Sequence, residues 1–191
     1  MLTVINIEET PNPNALKFVV NDVFVPGGDS ITYNSAKDAG PDPLGQSLFR
    51  IRGVTSVFYM RDFVTLTKSD KVPWEGIVED AETVISSTAP VIHVIPPSDI
   101  PVVQVADGIE FEAMNPEERL AKINQILDEE IRPALAGDGG GLHVLGLDDN
   151  VLKVHYQGAC GSCPTSTEGT LRAIEGRLQE ILSGKLSLIA E

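Results

Sequence analysis

Between residues 89 and 114 the chain carries Pro90, Pro96, Pro97 and Pro101, with the turn pair Asp107-Gly108 beyond them. Each proline removes a backbone donor and clashes with the preceding helical turn, so no helix runs through this stretch. Its other residues are rich in Val and Ile rather than in Gly and Ser, which points to an extended connection that is partly docked. The 191 residues are thereby divided into a first unit over residues 1–88 and a second over 115–191. Each is long enough for one small core. The expected class is α+β, as two small α+β domains joined by the proline-rich stretch 89–114.

In the first unit, residues 2–7 and 15–20 are short apolar, β-branched runs on either side of Thr10-Pro11-Asn12-Pro13-Asn14, a dense turn signal. Residues 30–33 form a third strand. Pro43, behind Asp42, suits the first position of a short helix ending near Arg50. Strands at 54–59 and 63–67 follow Gly53. A helix is expected from Pro73 onward, with Trp74, Ile77, Val78, Ala81, Val84 and Ile85 at helical spacing and Trp74 in the core. The 10–14 run has no chemistry of its own and reads as a hairpin turn, with partner recognition as a weaker second role.

The second unit opens on Asn115-Pro116-Glu117-Glu118, where Asn115 is an N-cap, Pro116 the first helical residue and Glu118 the return half of a capping box. Leu120, Ile123, Leu127, Ile131 and Leu135 then build one apolar helix face. Gly137-Asp138-Gly139-Gly140-Gly141 ends that helix. Strands are expected over 142–147 and 151–157. In the second, Leu152, Val154 and Tyr156 alternate with Lys153, His155 and Gln157, so one face is buried and one is wet. A last helix presents Leu171, Ile174, Leu178 and Ile181 and stops at Gly184, before a strand over 186–190. The order is helix, strand, strand, helix, strand, with the cysteine loop before the second helix.

The formal net charge of −14 argues against a nucleic-acid partner, which calls for a basic face. No apolar run reaches membrane-spanning length. Residues 1–6 lack the basic and apolar regions of a signal peptide, and Glu8 and Glu9 are out of place in a transit peptide. Two cysteines make no disulfide framework. A reducing compartment is expected: a bacterial cytoplasm, or the mitochondrial matrix if a transit peptide has been removed.

The two cysteines, Cys160 and Cys163, stand in Gln157-Gly158-Ala159-Cys160-Gly161-Ser162-Cys163-Pro164-Thr165-Ser166. Gly158 and Gly161 permit tight turns and close backbone approach. Pro164 suits the first turn of the following helix, which puts Cys163 at or just before its N-terminus, where a thiolate is favoured. Ser162, Thr165 and Ser166 offer hydroxyls to the sulfur atoms. Three uses fit the pair. The first is two buried structural thiols. The second is a thiol–disulfide oxidoreductase, although a thioredoxin-like fold needs more chain after the motif than one helix and one strand. The third is a metal or cluster site: one chain supplies half of the four thiolates of a 4Fe–4S or 2Fe–2S cluster or of tetrahedral zinc, and a two-fold-related copy supplies the rest.

Ile131-Arg132-Pro133, Asp138-Gly139-Gly140 and residues 157–167 together resemble the C-terminal domain of NifU and Nfu-type iron–sulfur proteins. Residues 10–18, with Gly53-Val54-Thr55-Ser56-Val57-Phe58 and Trp74, resemble the Nfu N-terminal domain. The resemblance covers both units but not the connection. It implies Cys160 and Cys163 as ligands of an iron–sulfur cluster, 4Fe–4S or else 2Fe–2S, bridged between two subunits. It also implies delivery to apo iron–sulfur client proteins, with an upstream scaffold as a further partner. The protein is then a homodimer when cluster-bound and a monomer when metal-free, and not an enzyme. In many members an acidic residue follows Asp-Gly-Gly; here that position is Gly141.

Other candidates are less specific. His143 and His155, on the two strands before the loop, could join the cysteines around zinc, but strand histidines are usually solvated or packed. His93 lies in the connection and carries no signal. Asp138 lacks a nucleophile or a partner acid and fits a helix-ending role better than that of a general base.

Overall fold

The computed structural model describes residues 2–25, 30–90, 111–159, 161, 167–182 and 185–190. Most of the expected connection, including His93, Pro96, Pro97, Pro101 and Asp107-Gly108, lies outside these, as does Gly184.

The first unit runs β1 (Val4–Glu9), β2 (Ala15–Val20), β3 (Ser30–Tyr33), α1 (Pro43–Leu48), β4 (Val54–Met60), β5 (Phe63–Lys68) and α2 (Ile77–Ser87). Its strands form one antiparallel sheet in the order β1-β2-β5-β4-β3. Alternation sends Phe18, Val57, Tyr59, Val64 and Leu66 to one face, where they pack on Leu44 and Leu48 of α1 and Ile77, Ala81 and Ile85 of α2. Phe58, Met60 and Phe63 point the other way. They form a second apolar cluster, covered by Ala136 from the second unit.

Asp42 fixes the start of α1. Its carboxylate accepts from Leu44 N at 3.2 Å and Gly45 N at 3.0 Å, and Pro43 follows at the first helical position. The same carboxylate accepts from the Tyr59 hydroxyl at 3.0 Å, and both residues are 1% exposed. Burial, reinforced by the Asp42 charge, pushes the Tyr59 phenol up, so it stays a donor. Asp42→Ala removes the cap and strands a buried hydroxyl. A loss of about 2–4 kcal/mol is expected, with Tyr59→Phe losing about 1 kcal/mol; urea unfolding of both variants checks the ranking.

Helix α2 begins at Ile77 rather than at Pro73. Gly76 sits at φ 85°, outside helical space, and the chain enters the helix through a turn in which Ile77 N–H donates to Trp74 O at 3.0 Å. Trp74 is half-buried at the edge of the first core. Its indole N–H donates to Pro13 O at 3.1 Å, and Lys68 Nζ lies 5.4 Å from its ring centre.

The second unit opens with a 3₁₀ turn, Phe111–Ala113. α3 (Pro116–Ile126), α4 (Arg132–Gly137), β6 (Gly140–Asp148), β7 (Val151–Gly158), α5 (Thr167–Leu182) and β8 (Ser187–Ala190) follow. The capping box is present: Asn115 Oδ1 accepts from Glu118 N at 2.9 Å and Glu118 Oε2 from Asn115 N at 3.0 Å. The single helix expected over 116–135 is interrupted. Leu127–Ile131 is a π-helical turn in which Arg132 N–H reaches back five residues to Leu127 O. Pro133 has no N–H and would collide with the carbonyl four residues earlier in a regular helix; the wider turn relieves that. The Arg132 guanidinium ties the junction together, donating to Asp128 at 2.6 Å, Asn124 at 2.9 Å and the Leu142 carbonyl at 3.2 Å.

β6 and β7 are antiparallel, and β7 pairs with β8 in parallel across α5. The expected faces meet in one core: Ile123, Leu127 and Leu135 pack with Leu152, Val154 and Tyr156 and with Ile174 and Leu178. Phe111 and Met114, from the end of the connection, are buried in it too.

Candidate functional site

Cys160, Ser162, Cys163, Pro164, Thr165 and Ser166 lie outside the described residues, and with them the expectation that Cys163 sits at the N-terminus of α5. The backbone leading into the loop is described. β7 ends at Gly158 with φ 64°, a left-handed conformation that favours glycine. Ala159 N–H donates to Gly139 O, and Gly161 N–H to Gly158 O, each at 3.2 Å. Ala159 is buried, whereas Gly161 is exposed.

Each glycine here answers a contact with the protein itself. A Cβ on Gly158 would lie 2.6 Å from Gly139 O and 2.7 Å from the Phe58 ring. One on Gly161 would lie 2.9 Å from Tyr156 O. Gly139, at φ 74°, stands behind α4, where its N–H donates to Ala136 O at 3.1 Å. Its α-carbon faces Thr10, Thr65 and Lys17 across a gap that a Cβ would fill at 3.0–3.4 Å. Asp138 is exposed at the end of α4, with its N–H on Ala134 O at 3.1 Å, which fits the helix-ending role.

The second face of the five-stranded sheet therefore rests on the base of the cysteine loop. Phe58 packs over Gly141 and Gly158; a Cβ on Gly141 would come within 3.2 Å of its ring. A side chain at position 141 would need the Phe58 ring to give by a few tenths of an ångström, so Gly141 eases the close approach of the two units here. Around that contact, Lys17 Nζ donates to Gly137 O at 3.4 Å and pairs with Glu8 at 2.9 Å. The Ser30 hydroxyl donates to Gln157 Oε1 at 2.5 Å. The Asn12 side-chain amide donates to Ala159 O at 3.0 Å.

His143 and His155 are direct partners across β6 and β7. His155 lies about 10 Å along the strand from Gly158, so zinc shared by these histidines and the cysteines requires the loop to fold back along the sheet. Among the described residues no group of three or more His, Cys, Asp or Glu could hold a metal ion. Sequence reasoning picks out the cysteines but not Phe58 or Asn12 as neighbours of their loop. A signal for Phe58 was present: Val57-Phe58-Tyr59-Met60 is continuously apolar, the pattern of a strand covered on both faces.

Two family profiles match the sequence. One, described as scaffold protein Nfu/NifU N terminal, covers residues 5–90; the other, the NifU-like domain, covers residues 123–188. The chain is 32% identical over 180 residues to the mitochondrial NFU1 iron-sulfur cluster scaffold homolog of Drosophila erecta, covering 92% of this chain and 60% of that protein. The counterpart from Drosophila ananassae is 31% identical over 180 residues, covering 92% and 59%. The chain thus spans about three-fifths of the length of these curated relatives. Among solved structures, protein SAV1430 from Staphylococcus aureus is 30% identical with a TM-score of 0.39, covering 43% of this chain and 96% of that one. A NifU-like protein from Saccharomyces cerevisiae is 29% identical with a TM-score of 0.39, covering 44% and 76%.

Proposed function

Because the chain belongs to the Nfu/NifU family of iron–sulfur scaffold proteins, we propose that it is a cluster carrier in which Cys160 and Cys163 of two copies hold one 4Fe–4S cluster between them. The observation that carries this is the place of the cysteine pair. It lies inside the stretch matched by the NifU-like profile, immediately after the pinned Gly158-Ala159 and on either side of the exposed Gly161. Two thiolates per chain leave a four-thiolate site half filled, and a two-fold axis through the loop completes it.

The cluster is cargo, and its transfer is ligand exchange. An incoming client thiolate forms an iron–sulfur bond as the bond to Cys160 or Cys163 breaks, one ligand at a time, with no net change of oxidation state. No step requires a general acid or base, so the role is not enzymatic. The partners are apo iron–sulfur proteins and, for loading, an upstream scaffold; the metal-free chain is a monomer. Residues 115–191 carry the cluster, residues 1–88 bear on the loop from outside, and residues 89–114 connect them. The names of the fly relatives favour the mitochondrial matrix over the bacterial cytoplasm.

The test is anaerobic transfer from the loaded protein to an apo 4Fe–4S enzyme in the presence of an iron chelator. Recovery of acceptor activity despite the chelator is the expected result. Recovery only when the chelator is omitted would mean that free iron, not the carried cluster, reaches the acceptor. Reduction of a test disulfide by the metal-free chain would point to dithiol chemistry instead.

A further inference from the structure

The 10–14 turn is braced more heavily than a hairpin needs. The Thr10 hydroxyl lies within hydrogen-bond distance of the carbonyls of Asn12 (2.9 Å) and Ala15 (3.0 Å) and accepts from Asn12 N–H at 3.2 Å. Asn12 Oδ1 accepts from Asn14 N–H at 3.0 Å. Lys68 Nζ donates to Asn14 Oδ1 at 3.1 Å, and Lys68 N–H to Asn14 O at 2.8 Å. The Trp74 indole N–H holds Pro13 O. One group of this rigid turn faces away from it: the Asn12 amide, in a residue only 4% exposed, donates to Ala159 O at 3.0 Å. Ala159 is the residue before Cys160, and its own N–H is held by Gly139 O. The peptide that opens the cysteine loop is therefore gripped on both sides, once by the second unit and once by a side chain 147 residues away.

We propose that Asn12 is a positioning residue for the cysteine loop: its amide clamps the carbonyl of Ala159 and so restrains how freely the thiolate at Cys160 meets an incoming reactant. This rests on the reading of Cys160 and Cys163 as the exchanging ligands, but the clamp can be tested without a cluster. The rigid turn supplies the leverage. Thr10 holds Asn12, Lys68 and Trp74 hold its neighbours Asn14 and Pro13 in the first unit, and Phe58 over Gly141 and Gly158 sets that unit against the base of the loop.

The experiment measures alkylation of Cys160 and Cys163 by iodoacetamide in the metal-free chain, resolved by peptide mass spectrometry. Asn12→Asp keeps the acceptor for Asn14 N–H but sets a carboxylate against the Ala159 carbonyl. Asn12→Ser keeps a turn-forming oxygen and stays neutral, but is too short to reach Ala159; it carries the test should the charged variant fail to fold. Loss of one buried hydrogen bond corresponds to about tenfold. Alkylation of Cys160 is expected to speed up by about that factor in Asn12→Ser, with a smaller rise at Cys163 and an unchanged far-ultraviolet spectrum. An unchanged Cys160 rate in the folded variant would overturn the clamp, as would an equal rise at both cysteines, which marks general loosening. The carrier reading can fail separately, in cluster binding, without altering this result.

Discussion

Cys160→Ser and Cys163→Ser are each expected to abolish the cluster and, with it, the dimer. With two thiolates per chain, either substitution removes two of the four ligands of the shared site, because both copies carry it. A serine hydroxyl is a far poorer ligand for iron than a thiolate. The remaining pair cannot complete a tetrahedral set around the cluster, and no other bridge between copies is part of the proposal. Each variant should emerge from anaerobic reconstitution colourless and monomeric, read by visible absorption and light scattering. Its far-ultraviolet spectrum should match the parent, because the two cores lie elsewhere. Retention of full cluster absorption by either variant would remove that cysteine from the ligand set.

A second large effect is expected where the units meet. In Gly158→Ala the new methyl would meet Gly139 O at 2.6 Å and the Phe58 ring at 2.7 Å, and the backbone would keep φ 64°. Left-handed backbone costs a non-glycine residue about 1–2 kcal/mol, and overpacking of a closed contact adds about 1–3 kcal/mol. A loss of about 2–5 kcal/mol in urea unfolding is expected. Relief can come by lifting Phe58 away, so the same variant should also show faster exchange of the Gly139 and Ala159 amides. An alanine variant with parental stability would mean that the sheet does not press on the loop base in solution.

The strands and the helix faces were legible because each is a local pattern. Leu152, Val154 and Tyr156 alternate with wet neighbours, and Asn115 and Glu118 form a capping box from four consecutive residues. The π-helical turn at Leu127–Ile131 was not legible from the apolar spacing, which passes through it unbroken. Pro133 held the information, as a residue that cannot continue a regular ladder. Trp74 has helical spacing with α2 yet lies outside it, since Gly76 breaks the helix between them. The docking of the units was hardest to see. Asn12 and Ala159 are 147 residues apart, and a single side chain meeting a single carbonyl leaves no periodic trace. The glycines at 139, 141 and 158 were visible, but as turn formers; much of what they make room for, Thr10, Thr65 and Phe58, belongs to the other unit. Of the candidate site itself, sequence supplied the cysteines and the family, and the structure supplied the surroundings of their loop.

Iron, sulfide and protein quantified in one anaerobically reconstituted sample, together with its mass in solution, bear most directly on whether the chain carries a shared cluster. One 4Fe–4S cluster per two chains, in a dimer that falls to monomers when the cluster is removed, is the expected result. A monomer that takes up no iron and sulfide, or one that binds a single zinc ion without visible absorption, would contradict it.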